Sequence, residues 1–173
     1  MADYPKEWER HFTLEDGRAV YVRPIRPQDE VLYGPFLAAV TPDDVRFRFL
    51  GPVKEFSHAL LTYFTHLDYA RAMAFIALDA ATGEMLGVAR LHNSADNQSG
   101  EFAIIVRSDL KGHGLGWQLM QLLIAYARGR GLRSIEGKAL HENTAMLKMC
   151  SDLGFEIKMD PKDPSISNVK LQL

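Results

Sequence analysis

The chain has 173 residues, of which 47% are hydrophobic and 24% are charged, and its formal net charge is −2. This length and composition predict one globular domain over 1–173, long enough to bury a sizeable core. The near-neutral charge argues against a nucleic-acid partner bound through its phosphates.

The N-terminal segment lacks the features of a targeting sequence. "MADYPKEWERHF" is charged and has no apolar core of a signal peptide. No apolar run approaches the roughly 18 residues that cross a bilayer, and a single cysteine fits a reducing compartment. We therefore expect a cytoplasmic protein with no membrane partner.

The first part of the chain predicts one strand followed by three helices. The segment 17–25, which ends in "VYVRPI", is rich in strand-forming residues. Apolar residues at helical spacing come next, then Thr41 ahead of Pro42, and then a serine cap at Ser57. The predicted helices cover 28–40, 41–50 and 57–67.

The middle of the chain changes from helical to strand periodicity. "AMAFIALDA" (72–80), "EMLGVARLH" (84–92) and "GEFAIIVR" (100–107) are separated by turn-forming residues. A tight turn at 81–83 and a longer polar turn at 93–100 connect them. These segments predict an antiparallel meander of three strands.

The last part alternates helices with strands. Helices are predicted over 116–131 and 142–154, each ending at a glycine, and strands over 133–140, 155–160 and 168–173. This order predicts an α/β (α+β) fold, in which helices flank a mixed and mostly antiparallel central sheet.

The sequence of one segment indicates a ligand-binding site. "DLKGHGLGWQLM" (109–120) places Gly112, Gly114 and Gly116 at alternate positions just ahead of a helix. Glycine is a poor residue with which to start a helix, because ordering its backbone costs more entropy than ordering any other. Unpaired N–H groups and the helix dipole make such a helix start an anion site that a pyrophosphate can approach closely.

Spacing separates three chemistries that use this device. The nucleotide P-loop is excluded because no Lys-Ser/Thr pair follows the glycines. The dinucleotide fingerprint Gly-x-Gly-x-x-Gly does not match, and antiparallel strands precede the segment. The third is coenzyme A binding: from Lys111 to Gly116 the segment resembles the Gln/Arg-x-x-Gly-x-Gly/Ala motif of GNAT superfamily acyltransferases, with lysine at the first position.

The resemblance extends over most of the chain. "VRPIRPQDE", "RFRFLGPVKEFS", "GEFAIIVR" and "ENTAMLKMCSDLGF" resemble the C-terminal acetyltransferase domain of Pat-type bacterial protein lysine acetyltransferases. The likeness covers residues 14 to 173 and implies the GNAT fold. "YPKEWERHFTLEDG" resembles the junction that precedes such a domain, so 1–13 is expected to be a junction segment.

The resemblance also implies a site for acetyl-CoA as cosubstrate. Strand backbone would contact the pantetheine arm, and loop N–H groups would hold the pyrophosphate. The implied contact residues are Ile104, Ile105, Val106, Lys111, Gly112, His113, Gly114, Leu115, Gly116, Trp117 and Asn143. For Asn143, the alternative is an ordinary helix N-cap.

The chemistry demands a base. A lysine amine has a pKa near 10.4, so at neutral pH roughly one molecule in 10³ is unprotonated, and a carboxylate is a usual proton acceptor. The Pat-type resemblance places the catalytic glutamate at Glu101, where burial beside Phe102 would make it a stronger base. The alternative is a surface carboxylate at a strand start, and Glu136 and Glu142 are weaker candidates.

Other reactive residues have simpler interpretations. The histidines show no metal-binding spacing and a single cysteine cannot build a thiolate site, so no metal is expected. His113 is interpreted as a solvated loop residue, and a role for His141 stays open. Cys150 occupies a position that often holds a proton-donating tyrosine in GNAT enzymes, but it is interpreted as a core residue.

Together these features predict an N-acetyltransferase that moves acetyl from acetyl-CoA to protein lysines by direct attack in a ternary complex. The expected partners are protein lysine acceptors, with acyl-CoA synthetases as candidates. Two alternatives stay open: a small-molecule amine acetyltransferase and a non-catalytic, acyl-CoA-sensing module.

Overall fold

One eight-stranded sheet organises the chain in a computed structural model that describes residues 3–173. Its strand order is β1-β2-β3-β4-β5-β6-β8-β7. The strands are β1 (Arg10–Thr13), β2 (Ala19–Pro24), β3 (Ala72–Asp79), β4 (Met85–Asn93), β5 (Ser99–Val106), β6 (Ser134–Leu140), β7 (Glu156–Met159) and β8 (Ile166–Gln172).

Five α-helices pack on this sheet, where the sequence predicts them. They are α1 (Glu30–Ala38), α2 (Pro42–Phe49), α3 (His58–Thr65), α4 (Leu115–Gly129) and α5 (Thr144–Asp152). The predicted caps form: the Thr41 side chain accepts from the Asp44 N–H at the start of α2, and Ser57 does the same at the start of α3.

The sheet is mixed and mostly antiparallel, as predicted, and its one parallel pairing is short. β5 pairs with β6 only from Ser99 opposite Ser134 to Glu101 opposite Glu136. Beyond these residues the two strands no longer pair, although each continues to Val106 and Leu140. The divergence opens a cleft in the middle of the sheet.

Side-chain alternation along β5 divides the core into two layers. Phe102 and Ile104 face the layer under α4 and α5, whereas Ile105 faces the layer under α1, α2 and α3. On this second face, no residue of β6, β7 or β8 joins the buried cluster, within the described chain. That half of the sheet is left open to solvent.

Two features of the sheet were not predicted from the sequence. Residues Arg10–Thr13, which lie in the predicted junction segment, form the edge strand β1 against β2. The two final strands do not simply follow one another, because β8 lies between β6 and β7. Among the described residues no helix combines the length and apolar character needed to cross a bilayer.

Candidate active site

The glycine loop adopts a backbone that only glycine accepts readily. Gly112 and Gly114 have φ values of +87° and +91°, in the left-handed region, and Gly114 is the N-cap of α4. A Cβ added at Gly112 would meet no atom within 4 Å. The backbone at Gly112 is therefore accessible to a ligand, with no side chain in between.

The start of α4 presents unpaired donors to that space. The first bond within the helix runs from the Gln118 N–H to the Gly114 carbonyl at 3.1 Å. The N–H groups of Leu115, Gly116 and Trp117 therefore have no helical acceptor. The Leu115 side chain is 1% exposed and packs in the core, so it contributes to a ligand site only through its backbone.

The side chain of Lys111 is held in an ion pair. Its Nζ lies 2.6 Å from Asp44 Oδ1 on α2, and Ser108 Oγ donates to the same carboxylate at 2.5 Å. Burial opposes ionisation of Asp44, but the hydrogen bonds from Lys111 and Ser108 outweigh it and hold the pKa of this carboxyl below its ordinary value. A direct contact between Lys111 and a phosphate stays a prediction.

The cleft between β5 and β6 lies near this loop, because the Lys111 Nζ is 5.9 Å from the centre of the Phe47 ring and Phe47 lines the cleft. Ala103 and Ile104 of β5 line one wall, and Asn143 lies in the same lining. The Asn143 side chain accepts from the Met146 N–H at 3.3 Å, so it caps α5 while also facing the cleft. Backbone along the unpaired stretch of β5 is available on the cleft side.

These parts fit a coenzyme A molecule. The start of α4 offers several N–H donors and a positive helix end, which suit a pyrophosphate. The unpaired edge of β5 suits the amide-bearing pantetheine arm, which can hydrogen-bond to exposed strand backbone in the manner of an added strand. Of the predicted contact residues, Ile104 and Asn143 line this cleft and the loop 111–117 leads into the start of α4, whereas contacts of Ile105, Val106 and the loop with coenzyme A stay predictions.

Glu101 immediately precedes the stretch of β5 that lines the cleft, but the expectation that it is buried is wrong. The residue is exposed, because strand alternation turns Phe102 into the core and Glu101 to the opposite, open face. Its carboxylate borders a groove of about 370 Å³ that also includes Glu136 and Glu156. Glu101 is thus positioned to meet a second molecule that arrives from solvent.

The comparison with known proteins identifies the family. A family model described as "Acetyltransferase (GNAT) family" matches residues 42–155. This chain belongs to the GNAT acetyltransferase family. It is 37% identical over 153 residues to Acetyltransferase PA5475 of Pseudomonas aeruginosa, which covers 87% of this chain and 82% of that protein.

Two further similarities support the GNAT assignment. Acetyltransferase Pat of Mycolicibacterium smegmatis is 30% identical over 144 residues, which are 82% of this chain and 42% of Pat. The solved GNAT domain of S. lividans PAT matches with a TM-score of 0.90 and 26% identity, over 99% of this chain and 100% of that one. The chain is therefore a GNAT acetyltransferase, and enzymes of this fold use acetyl-CoA.

Next to Glu101 in this GNAT domain lies a histidine that the sequence did not single out. His92 on β4 lies directly opposite Glu101, so both side chains share one face. Its ring stacks on Tyr63, with centroids 6.0 Å apart. Burial, followed by the positive charges of Arg90 and Arg48, lowers the pKa of His92, which keeps the imidazole neutral at pH 7. Only the strand register reveals this pairing.

The remaining candidates lie around the site rather than at its centre. Glu142 is exposed and ion-paired with Arg46 of α2. His141 is exposed to solvent. His113 contributes its backbone carbonyl, which accepts a hydrogen bond from the Glu15 N–H at 3.4 Å. Within residues 3–173, no group of three His, Cys, Asp or Glu side chains is placed to hold a metal ion.

Cys150 faces the core of this GNAT domain and not the cleft. Its side chain is 0% exposed and belongs to the cluster under α4 and α5. Burial raises the pKa of the Cys150 thiol to about 12, so almost no reactive thiolate forms at neutral pH. The interpretation of Cys150 as a core residue is confirmed.

We expect Cys150→Ala to lower kcat by less than about tenfold, because a departing thiolate with a pKa near 8.5 gains little from an acid at pH 7. The smaller side chain leaves a small cavity, and the free energy of unfolding should fall by about 1 kcal/mol. Steady-state rates and thermal unfolding measure the two effects. A thousandfold loss of kcat, or acetylated Cys150 in acid-quenched enzyme, would establish a covalent route instead.

Proposed function

We propose that this chain transfers acetyl from acetyl-CoA to the side-chain amine of protein lysines, by direct attack in a ternary complex. The observation that carries the proposal is the place of Glu101. Glu101 lines a wide groove open to solvent, and its neighbour Phe102 lines the narrow cleft that suits the thioester arm. The two substrates would reach Glu101 from opposite directions.

The openness of the groove favours a side chain presented by a macromolecule. On this face no residue of β6, β7 or β8 joins the buried cluster in the described chain, so the groove is open enough to accept a lysine from a large partner. Glu101 and Glu136 stand side by side on parallel strands, with Glu156 farther along. Lys138, Lys158 and Lys170 line the groove as well and balance its three glutamates, so attraction for an incoming ammonium group comes from the adjacent pair Glu101 and Glu136 and not from the groove as a whole.

The chemistry requires three contributions from the chain. Acetyl-CoA, when bound, supplies an activated thioester. The start of α4 and the edge of β5 hold and orient that molecule through backbone groups. Glu101 accepts the proton of the amine, directly or through water, as the amine nitrogen forms the amide bond and the carbon–sulfur bond breaks. The thiolate leaves without an acid and takes its proton from water.

The acceptor class is also supported by the resemblance to Pat-type enzymes and by the match with Pat over 82% of this chain. The chain spans 42% of Pat, so activities of the longer protein come to this chain only as proposals. Acyl-CoA synthetases as acceptors and a cytoplasmic location are part of the proposal.

Acetylation assays with two kinds of acceptor test the proposed function. Purified acyl-CoA synthetases and a panel of free amines are each incubated with acetyl-CoA, and products are read by mass spectrometry beside the release of free thiol. We expect acetylated lysines that depend on Glu101. Thiol release with free amines alone would replace the proposal with small-molecule acetylation.

A further inference from the structure

Two arginines close to Glu101 form no ion pair with a carboxylate within the described chain. The first is Arg90 of β4. It is 4% exposed. Its Nη2 donates to the Tyr33 hydroxyl and to the Phe64 carbonyl, each at 3.2 Å. Its Nη1 is buried and has no hydrogen-bond partner within residues 3–173. A buried charged donor without an acceptor destabilises the fold and calls for an explanation.

The second is Arg48 of α2, which lines the cleft and also shares a small pocket with Arg90. Its guanidinium lies 4.5 Å from the centre of the Phe49 ring. The carboxylate of Glu101 attracts it, but no hydrogen bond or ion pair holds it within the described part of the chain. Burial, followed by the charge of Arg90, lowers the pKa of Arg48 to about 10, so the group is still a cation at neutral pH.

A third buried arginine shows how the same fold treats a structural charge. Arg23 is 7% exposed, and its Nη1 and Nη2 donate to the two oxygens of Asp29 at 2.7 and 2.6 Å. Asp29 is itself 3% exposed. Among residues 3–173, Arg48 and Arg90 lack any such carboxylate, and they repel each other. Buried charges without a paired carboxylate are exceptions that occur mainly at functional sites.

Both arginines lie close to the proposed site of acetyl transfer. Arg90 lies opposite Ala103, and His92 lies opposite Glu101, along the β4–β5 pair. Arg90 and Glu101 are therefore diagonal neighbours on one face, a relation in which the two Cα atoms are about 7–8 Å apart. Arg48 lines the cleft beside Ala103. An anion held by these arginines lies next to the amine that Glu101 would deprotonate.

We propose that Arg48 and Arg90 bind a carboxylate of the acceptor, close to the amine that receives the acetyl group. The proposal rests on acetyl transfer at Glu101. The pocket that both arginines line has a volume of about 10 Å³, room for about one water-sized group. One carboxylate oxygen would occupy that pocket, and Arg48, which lines both the pocket and the cleft, would hold the other.

Two sources supply this chemistry. In a protein acceptor, the carboxylate belongs to an aspartate or glutamate beside the acceptor lysine. In a free amino acid, it is the carboxylate of the same molecule. Arg48 is the residue to change, because Arg90 donates hydrogen bonds that support the fold at Tyr33 and Phe64.

Direct binding of glutarate, followed by ligand-observed NMR, tests the carboxylate site without turnover. We expect Arg48→Gln to weaken glutarate binding by about tenfold or more, and Arg48→Lys to restore part of it. Arg128→Gln, on the exposed side of α4, is the matched control and should bind as the wild type does. Equal glutarate binding by wild type and Arg48→Gln, or none by the wild type, overturns the proposal.

Thermal unfolding separates a binding role from a structural one. Because Arg48 is a half-buried charge without a partner in the described chain, its replacement by glutamine should leave Tm unchanged or higher. A clear fall in Tm would mean that Arg48 serves the fold, and weaker coenzyme A binding by Arg48→Gln would mean that it serves the cosubstrate. Either result contradicts the proposal.

Matched acceptors then identify the source of the carboxylate. One pair of peptides differs only in Asp or Asn beside the lysine, and a second pair compares a free amino acid with its amide. We expect kcat/KM to be about tenfold higher for the acid, mostly through KM, and the preference to vanish in Arg48→Gln.

The outcomes separate this proposal from the proposed function. Acetylation of free amino acids alone rejects protein lysine as the acceptor but keeps the carboxylate site. Equal acetylation of the Asp and Asn peptides, unchanged in Arg48→Gln, keeps the proposed function and rejects the carboxylate site.

Discussion

In Glu101→Gln, kcat should fall by about 10²–10⁴, the range that a positioned general base contributes. Glutamine keeps the size of the side chain but cannot accept the proton. Because Glu101 lies beyond the cleft and borders the open groove, the dissociation constant of acetyl-CoA should stay nearly the same. Single-turnover rates and calorimetric titration measure the two quantities.

The pH profile of the same variant gives an independent check. Without a base, the reaction depends on amine that is already unprotonated, so the rate should rise about tenfold per pH unit below the amine pKa near 10.4. The wild type should show a weaker dependence. Glu7→Gln, an exposed carboxylate-to-amide change far along the sheet at the β1 end, is the control.

Two results would remove Glu101 from the mechanism. A Glu101→Gln rate within about threefold of wild type makes Glu101 a bystander. A large loss in Glu136→Gln with little change in Glu101→Gln makes the neighbouring carboxylate the base, since the two residues stand opposite each other on parallel strands.

Local chemistry explains why much of the architecture could be predicted from sequence. Thr41 and Ser57 cap helices because their hydroxyls accept from N–H groups three residues on, whatever the rest of the fold does. Gly112 and Gly114 indicate a left-handed backbone for a similarly local reason, the absence of a Cβ. The glycine loop, the meander and the helix after it follow from such short-range rules.

Features set by partners distant in sequence could not be predicted in this way. Lys111 is held by Asp44, 67 positions earlier in the chain, and no local pattern couples them. The position of β8 between β6 and β7 is likewise a tertiary outcome. The exposure of Glu101 was predicted wrongly because an apolar neighbour, Phe102, was taken as a sign of burial, although neighbours on a strand face opposite ways.

The acceptor side shows this limit most clearly. In the sequence, Arg48 and Arg90 are ordinary arginines on a polar helix and in a strand. Their significance comes from what surrounds them in the described chain: aromatic rings, each other and no paired carboxylate. Only the packing of α2 against the sheet brings them beside Glu101, so charge pairing in three dimensions carries information that composition does not.

Gly114→Val should lower the affinity for coenzyme A by about 100-fold or more. Valine at φ +91° is strained, and relief of that strain turns the loop N–H groups away from a shared anion. Loss of two hydrogen bonds to a charged group, at about 1.5–3 kcal/mol each, accounts for a change of this size. Steric conflict within the protein is minor, because the nearest atom to an added Cβ is the flexible end of Glu15, at 3.6 Å.

The control for strain lies at the other end of the same helix. Gly131 has a φ of +77° and open space around an added Cβ, so Gly131→Val should lose similar stability but bind coenzyme A as the wild type does. Gly116→Ala adds a Cβ at an ordinary φ, 3.8 Å from Met149 Sδ, and should weaken binding with the fold intact. Calorimetric titration of the three folded variants decides the matter. Unchanged affinity in Gly114→Val and Gly116→Ala would mean that the start of α4 does not hold the pyrophosphate.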